Sequence, residues 1–307
     1  AKTVLLCKAA KTENRCANTT LPTLKTEVAA IKLKLLILTA FLAVAVSAFG
    51  LKTEVADTEP QKACLTVIMY HSFLKDSSKS GKYVITPSQF ENDIIYLKSI
   101  GCSFVSVDDI ARFKHGTGSL PDKAVLITLD DGNYNNYTYI FPLLKKYNVP
   151  ALLSPIGYWV EKYTQTGEKN PVYTIVTEGD ISEMYSSGLV EFGNHTYNLH
   201  HTDGRLGCKK TSGESSESYK SMLTDDLTKA NEVIRRCTGS NPCALVYPYG
   251  AICPDSYEVA KNLGFDILFS CTEGINRISP GDGIYVLKRF NRPFGKNSAD
   301  FFAEIYK

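Results

Sequence analysis

The chain has 307 residues, of which 44% are hydrophobic and 21% are charged, and its formal net charge is +2. These values are typical of a globular protein with one large α/β domain or two small ones. A net charge this close to zero gives no support for a nucleic-acid partner or for strong electrostatic steering of a charged ligand.

The first 63 residues differ in composition from the rest of the chain. Lys32 and Lys34 precede an apolar run over residues 35–51. A basic flank followed by a short apolar core predicts a signal peptide or membrane anchor at 31–51, and residues 1–30 form a leader of unknown role. Residues 52–63 have the composition of a linker. We therefore expect a secreted protein, or one held outside the cytoplasm by possible membrane attachment through 31–51, with its functional domain at 64–307.

Nine cysteines are compatible with disulfides if the protein is exported. Four of them lie close together in sequence, so we expect a bridge within this group, whose pairing the sequence leaves open. The four are Cys208, Cys237, Cys243 and Cys253. No pair has the C-x-x-C spacing, which disfavours a cysteine zinc site.

Strand and helix patterns alternate after the linker. Strands are predicted at 65–70, 103–107, 124–129, 151–156, 189–192, 244–247, 265–270 and 284–288. Helices are predicted from a Thr86 N-cap to Gly101, from Asp108, and at 137–147, 179–187, 218–237, 255–263 and 298–306. This alternation favours an α/β fold, an irregular (β/α) barrel of about seven parallel strands. An open doubly wound sheet is the alternative, but the glycine-rich turn that it usually carries after its first strand is missing.

Two adjacent carboxylates follow a predicted buried strand. Asp130 and Asp131 precede Gly132, and polar groups at the ends of parallel strands are where α/β folds carry their chemistry. His195 and His200 follow a later strand. One carboxylate and two imidazoles make a metal site with open positions, which leaves the second carboxylate as a base. Read separately, an Asp-Asp-Gly turn that caps a helix and two satisfied polar histidines are the simpler interpretations.

The strand at 244–247 ends in the sequence Tyr-Pro-Tyr-Gly. Tyr247 and Tyr249 are candidate substrate-binding residues, because two rings at a strand tip suit a sugar, or because the backbone there offers an N–H to an oxyanion. An ordinary tight turn with packed rings is the alternative.

Three segments resemble the motifs of the NodB-like polysaccharide deacetylases, which form carbohydrate esterase family four. They are TLDDG at 128–132, HTYNLH at 195–200 and YPYG at 247–250. The spacing of the two histidines and the MYH segment at 69–71 are similar to those of the poly-N-acetylglucosamine deacetylases. The resemblance covers residues 64–307.

The resemblance implies a NodB-type barrel and one divalent metal ion. Asp131, His195 and His200 would be its ligands and Asp130 the general base, while the oxyanion would lie against the metal and the Tyr247 N–H. We expect zinc, with cobalt, nickel or iron as alternatives.

Two features depart from the family pattern. Residues 244–246 lack the arginine that orients the base in many members, and no histidine follows His201 to serve as the general acid. His71 is our catalytic candidate for that acid, with a histidine that caps the core as the alternative. Arg289 is a candidate that either orients Asp130 or binds substrate.

The function predicted from these residues is the metal-dependent removal of N-acetyl groups from an extracellular or cell-wall aminoglycan of the poly-N-acetylglucosamine type. Peptidoglycan and chitin oligomers are alternative substrates, so the expected partner is an N-acetylated polysaccharide and not a nucleic acid. Two other classes stay open at this point. One is a non-catalytic carbohydrate-binding module on the same fold, and the other is a non-haem iron oxygenase, for which a mainly β fold is expected.

Overall fold

Strands and helices alternate along the chain in a computed structural model that describes residues 34, 62–281 and 283–306. The strands are Ala63–Tyr70 (β1), Ser72–Phe73 (β2), Val84–Ile85 (β3), Ser103–Phe104 (β4), Ala124–Asp131 (β5), Ala151–Pro155 (β6), Val190–Phe192 (β7), Ala244–Val246 (β8), Ile267–Phe269 (β9), Asn276–Ile278 (β10), Tyr285–Leu287 (β11) and Phe290–Asn291 (β12). The α-helices are Pro87–Ser99 (α1), Val107–Lys114 (α2), Phe141–Tyr147 (α3), Gly157–Thr166 (α4), Glu178–Ser186 (α5), Ser216–Thr238 (α6), Pro254–Asn262 (α7) and Ser298–Ile305 (α8).

Local sequence signals explain where several helices begin. Thr86 caps α1, because its side chain accepts a hydrogen bond from the Gln89 N–H at 3.2 Å. The helix predicted at 137–147 changes its winding at Pro142, which lacks an N–H: Asn136–Ile140 is a π-helix and α3 follows it. The sequence pattern does not predict α4, whose first turn has no side-chain cap.

The described strands form three sheets: β2 and β3 make a small pair, and the other two sheets together contain a run of seven parallel strands. β1, β5, β6 and β7 pair in parallel in one sheet, and β8, β9 and β11 do so in the other. A single parallel bridge between Asn194 and Leu245 joins β7 to β8. On the other side, the Asn276 side-chain amide donates to the carbonyl oxygens of Leu65, within β1, and of Lys288, directly after β11. This arrangement confirms the predicted α/β class and fits an irregular barrel, which we call the strand ring, in which one bridge and side-chain bonds, not continuous strand pairing, link the two sheets.

Alternation along β5 sends its side chains to two different cores. Val125, Ile127 and Leu129 pack toward the helices, whereas Ala124 and Leu126 join the cluster enclosed by the strands. The enclosed cluster also includes Leu65, Val67, Leu152, Val246, Ile267, Phe269, Tyr285 and Leu287. Because side chains alternate with a period of two, the even-numbered residues of β5 face the enclosed core. Asp130 is the last of them and faces the end of this core at the carboxyl end of the strand.

Two of the sequence predictions concern the N-terminal segments and a disulfide bridge. The predicted leader, signal segment and linker lie outside the described residues, apart from Lys34, Lys62 and Ala63. Among the residues that the structure does describe, no helix combines the length and the apolar character needed to cross a bilayer. The expected disulfide is not formed: the described cysteines, including the four that are close in sequence, are free thiols.

Candidate metal centre

The end of β5 brings two consecutive carboxylates to one site. By strict alternation Asp131 would point away from Asp130, but Asp131 adopts a left-handed φ of 69° and Gly132 follows with 77°. A Cβ at Gly132 would lie 2.5 Å from the Pro155 Cβ, so only glycine fits this turn. The turn therefore directs both carboxylates toward the mouth of the strand ring.

The two predicted histidines meet Asp131 at this mouth. His195 and His200 lie on the loop after β7, and their ligand atoms and those of Asp131 all lie within 4.8 Å of one another. The Asp131 Oδ1 is 3.4 Å from the His195 Nε2 and 3.2 Å from the His200 Nε2. Two atoms bound to zinc at tetrahedral bonds of about 2.0–2.1 Å lie about 3.4 Å apart, so this spacing fits such an ion.

The protonation of His195 supports a cation among these groups. Its Nδ1 lies 2.7 Å from the Val246 carbonyl oxygen, which only accepts, so Nδ1 must carry the proton. The Nε2 is then the ring nitrogen left to bind an ion, and it faces the buried Oδ1 of Asp131, which has no hydrogen-bond partner of good geometry. A metal ion stabilises acceptor atoms that face one another in a buried site. Histidines that bind metals usually donate their other ring N–H to a protein oxygen, as His195 does to the Val246 carbonyl.

Electrostatics keep the Asp131 carboxylate ionised. Burial by itself would raise its pKa, but the imidazoles of His195 and His200 hold that pKa well below the ordinary value of 3.8. Burial lowers the pKa of His200, and the neighbouring Asp131 carboxylate outweighs it, so the net shift is upward. The site thus offers the deprotonated carboxylate that a divalent cation requires.

Asp130 is held by an arginine that approaches from the far end of the chain. The Arg289 Nη1 lies 2.8 Å from the Asp130 Oδ1, and both side chains are almost completely buried. Arg289 also donates to the Ser270 carbonyl oxygen at 2.9 Å. Burial raises the pKa of Asp130, but the charge and hydrogen bond of Arg289, together with the nearby imidazoles of His195 and His71, outweigh burial, and the net shift is downward. Arg289 thus holds the Asp130 carboxylate in place, as one of its two predicted roles requires, and its guanidinium is buried rather than exposed to solvent.

His71 lies across the cavity from the same carboxylate. It directly follows β1, and its Nε2 is 4.0 Å from the Asp130 Oδ2. Its ring centroid is 4.7 Å from that of Tyr83, and its buried Nδ1 has no hydrogen-bond partner. Burial lowers the pKa of His71 despite the nearby carboxylates. The geometry places the His71 imidazole within a short movement of Asp130.

The two tyrosines of the third motif have different positions. Tyr249 adopts a φ of 59°, is 43% exposed, and places its hydroxyl 3.3 Å from the His200 Nδ1. Tyr247 is fully buried; its hydroxyl donates to the Ser256 carbonyl oxygen and its backbone N–H to that of Phe269. The structure therefore corrects the prediction for Tyr247, because neither its ring nor its N–H is free to meet a substrate.

Helix α6 supports the histidine loop, which no sequence signal indicates. The Asp226 carboxylate accepts hydrogen bonds from the backbone N–H groups of Tyr197 and Asn198, at 2.8 and 2.9 Å. The Asn194 side chain donates to Asn231 on the same helix at 2.7 Å. Hydrogen bonds to α6 therefore hold the loop that carries His195 and His200.

The carboxylates and histidines open into a cavity of about 460 Å³, which we call the metal cavity. Its lining residues are Met69, His71, Lys82, Tyr83, Asp130, Asp131, His195, His200, Tyr249, Cys271, Glu273 and Asn291. Such a concave site with a few convergent polar groups suits a small part of a larger ligand.

Comparison with known proteins gives a consistent family relationship. Residues 117–268 match the family model of polysaccharide deacetylases. A poly-beta-1,6-N-acetyl-D-glucosamine N-deacetylase from Escherichia coli K12 is 28% identical over 252 residues, which cover 76% of this chain and 37% of that protein. The chain thus spans little more than a third of this relative. A protein of the same name from Staphylococcus aureus MSSA476 is 28% identical over 218 residues, 71% of this chain and 70% of its own length.

A solved structure extends the relationship to three dimensions. IcaB from Ammonifex degensii is 30% identical and superimposes with a TM-score of 0.63. The match covers 75% of this chain and 92% of that chain. The sequence and the fold of this chain are therefore both similar to those of that protein.

Proposed function

Because the chain belongs to the polysaccharide deacetylase family, a family of hydrolases, we propose that it removes N-acetyl groups from an aminoglycan of the poly-N-acetylglucosamine type in a metal-dependent reaction. One observation carries the proposal. Asp131, His195 and His200 form a three-residue donor set, and a separately held carboxylate, Asp130, lies directly beside it. Hydrolysis of an amide needs these two functions together, an electrophile and a base.

Each residue of the site has a role in the proposed reaction. Asp131, His195 and His200 would hold the ion, which when bound acts as a Lewis acid toward the amide carbonyl and makes water more acidic. Asp130 accepts the proton of the attacking water, and Arg289 keeps this carboxylate ionised and oriented. His71 faces Asp130 at 4.0 Å and is placed to take up the proton that Asp130 accepts from water and to pass it to the departing amine.

Zinc is the proposed ion, with cobalt, nickel or iron as alternatives. Two imidazole nitrogens and one carboxylate oxygen are the ligand set of catalytic zinc sites, which keep further positions open for water and substrate. The same donors accept several first-row metals, and their relative availability influences which one is bound.

The names of the relatives support the substrate class. The matched proteins of E. coli and S. aureus are both named poly-beta-1,6-N-acetyl-D-glucosamine N-deacetylases, so this polymer is preferred to peptidoglycan or chitin. We also propose export from the cytoplasm, which the signal-like pattern at 31–51 supports. Protease treatment of intact cells tests that location, because an exported domain is degraded and a cytoplasmic one is protected.

The two other functional classes receive less support. A pure binding module has no need of a buried ion pair that holds Asp130 beside the donor set. An iron oxygenase is expected on a mainly β fold, whereas seven parallel strands with intervening helices form this domain.

Acetate release from a fully acetylated β-1,6-linked N-acetylglucosamine oligomer tests the proposal. The full chain is assayed as purified, after treatment with a chelator, and after zinc is added back. We expect acetate release that the chelator abolishes and zinc restores, and an Asp130→Asn variant that binds zinc without turnover. Zinc-loaded protein that releases no acetate from this oligomer, peptidoglycan or chitin oligomers would contradict the proposal.

A further inference from the structure

The end of β8 contacts the second ring nitrogens of both candidate histidine ligands. Val246 is the last residue of the strand, and its carbonyl oxygen lies 2.7 Å from the His195 Nδ1. Three residues later, the Tyr249 hydroxyl lies 3.3 Å from the His200 Nδ1. The Nε2 atoms of the two rings are the ones that face Asp131. One short segment therefore meets each imidazole at the nitrogen that an ion would leave free.

We propose that Tyr249 is a positioning residue of the metal centre, whose hydroxyl accepts the Nδ1–H of His200 and so holds the Nε2 of that ring toward the ion. The inference rests on the metal-binding part of the proposed function and is independent of which polysaccharide is the substrate. A neutral imidazole that binds an ion through Nε2 carries its proton on Nδ1, and a phenolic oxygen has lone pairs to accept that proton. Partners of this kind orient ligating histidines and strengthen metal binding.

His200 depends on such a partner because it is the more exposed of the two imidazoles. The His195 side chain is 2% exposed, whereas the His200 side chain is 24% exposed. Solvent next to the His200 ring leaves it room to rotate. The Tyr249 ring lies beside it, with 4.8 Å between the centroids and 43° between the planes. The ring contact and the hydroxyl together restrict the orientation of His200.

The backbone at Tyr249 is strained in a way that supports this role. Tyr249 has a φ of 59° and a ψ of 9°, a left-handed conformation that is uncommon for an aromatic residue. The turn is held by hydrogen bonds from the Gly250 N–H to the Tyr247 carbonyl oxygen and from the Ala251 N–H to that of Pro248, at 2.9 and 3.1 Å. Strained residues persist where the surrounding structure holds them, and they cluster at functional sites. We assign the strain at Tyr249 to the placement of its ring beside His200.

The chain that follows the two histidines packs on Tyr249 as well. A Cβ at Gly207 would lie 3.3 Å from the Tyr249 Cδ2 and 2.8 Å from the Pro248 carbonyl oxygen, so only glycine allows this close approach. The Gly207 N–H donates to the His201 carbonyl oxygen at 3.1 Å. The Tyr249 ring therefore contacts both the His200 imidazole and the backbone that follows it, which fixes the hydroxyl before an ion binds.

Zinc affinity tests the proposal without any need for catalysis. Zinc is titrated into the metal-free full chain in competition with a chromogenic chelator, for the wild type, Tyr249→Phe and Tyr185→Phe. Phenylalanine keeps the ring and removes only the hydroxyl. We expect Tyr249→Phe to raise the zinc Kd roughly 10-fold, the lower end of the range for outer partners of metal ligands, because water reaches this partly exposed position. Tyr185→Phe alters a 40% exposed ring outside the metal cavity and should leave the Kd unchanged.

A spectroscopic signature reports the position of the His200 ring itself. The visible absorption of the cobalt-loaded protein depends on the geometry of the ligands around the ion. We expect Tyr249→Phe to change the position or intensity of these bands and Tyr185→Phe to keep the wild-type spectrum. Thermal unfolding of the metal-free proteins confirms that both variants are folded.

Kinetics separates a positioning role from a direct contact with the substrate. With zinc far above its Kd, Tyr249→Phe should regain the KM of the wild type for a fully acetylated β-1,6-linked N-acetylglucosamine pentamer. An unchanged zinc Kd, or an equal rise in Tyr185→Phe, would overturn the proposal, and a raised KM at saturating zinc with an unchanged Kd would assign Tyr249 to the substrate instead. A wild type that binds no zinc would refute the metal centre and this inference together. Zinc binding that depends on the Tyr249 hydroxyl without any acetate release would refute the proposed hydrolase and leave the positioning role standing.

Discussion

Replacement of Arg289 by methionine tests how the proposed base is held. The guanidinium lies 2.8 Å from the Asp130 carboxylate, and the two side chains are 0% and 3% exposed. Methionine keeps the apolar stem but leaves a buried carboxylate without its partner, which costs about 3–5 kcal/mol. For a domain of this size the melting temperature should fall by roughly 6–20 °C.

A double-mutant cycle assigns that loss to the ion pair. Arg289→Met, Asp130→Asn and the double variant are unfolded in urea, and the coupling energy is taken from the four free energies of unfolding. We expect the double variant to be more stable than the sum of the single losses predicts, because it buries no unpaired charge. Catalysis should not recover with stability: Arg289→Met and the double variant should lose about 10²–10⁴-fold in kcat, the usual contribution of a general base.

A second buried ion pair provides the control. Arg292 and Asp93 are 2.8 Å apart and equally buried, but neither lines the metal cavity. Arg292→Met should therefore destabilise the fold by a similar amount without a change of kcat in the folded protein at low temperature. The reasoning is refuted if Arg289→Met costs less than about 1 kcal/mol, or if both arginine variants lose kcat equally.

Three further predictions concern the turn, the histidine loop and a surface ion pair. Gly132→Ala should lower the melting temperature much more than Gly188→Ala, which has the same sign of φ but open space around it; thermal unfolding decides. Asp226→Asn should weaken zinc binding about 10- to 100-fold in calorimetry, whereas the exposed neighbour Asp225→Asn should not. Hydrogen bonds from Arg205 lower the pKa of Glu214 to about 2. Glu214 therefore stabilises the fold fully above its unfolded pKa of about 4.5, and this stabilisation is lost as the pH falls toward 2. In Glu214→Gln the free energy of unfolding should depend less on pH within that interval, as urea unfolding at several pH values would show.

Local sequence signals predict the strand that leads to this site and the start of helix α1. The strand before Asp130 is a continuous apolar run and the Thr86 cap precedes α1, so both elements follow from short-range chemistry. Period-two alternation also places Asp130 at the end of the enclosed core. Alternation alone places Asp131 on the opposite face, and the left-handed turn that brings it back depends on contact with Pro155, which is distant in sequence.

Long-range contacts account for what the sequence leaves open. Arg289 is 159 residues from Asp130, so the sequence offers it only as a candidate with two roles, and the fold shows that its guanidinium bonds this carboxylate. Tyr247 sits at the predicted strand tip, but the neighbouring strand takes up its N–H. Helix α4 lacks a side-chain N-cap, and its Trp159 and Tyr163 line a cavity that Asp131 and His200 also border. Each of these outcomes depends on a partner that no local pattern encodes.

Zinc binding by two neighbouring histidine variants tests the central claim most directly. His200 faces Asp131, whereas His201 is exposed and lies beside the Asp203 carbonyl oxygen. Calorimetry on the full chain should show one zinc ion per molecule for the wild type and for His201→Ala, and the loss of that ion for His200→Ala. Equal zinc binding by the two variants would contradict the metal centre.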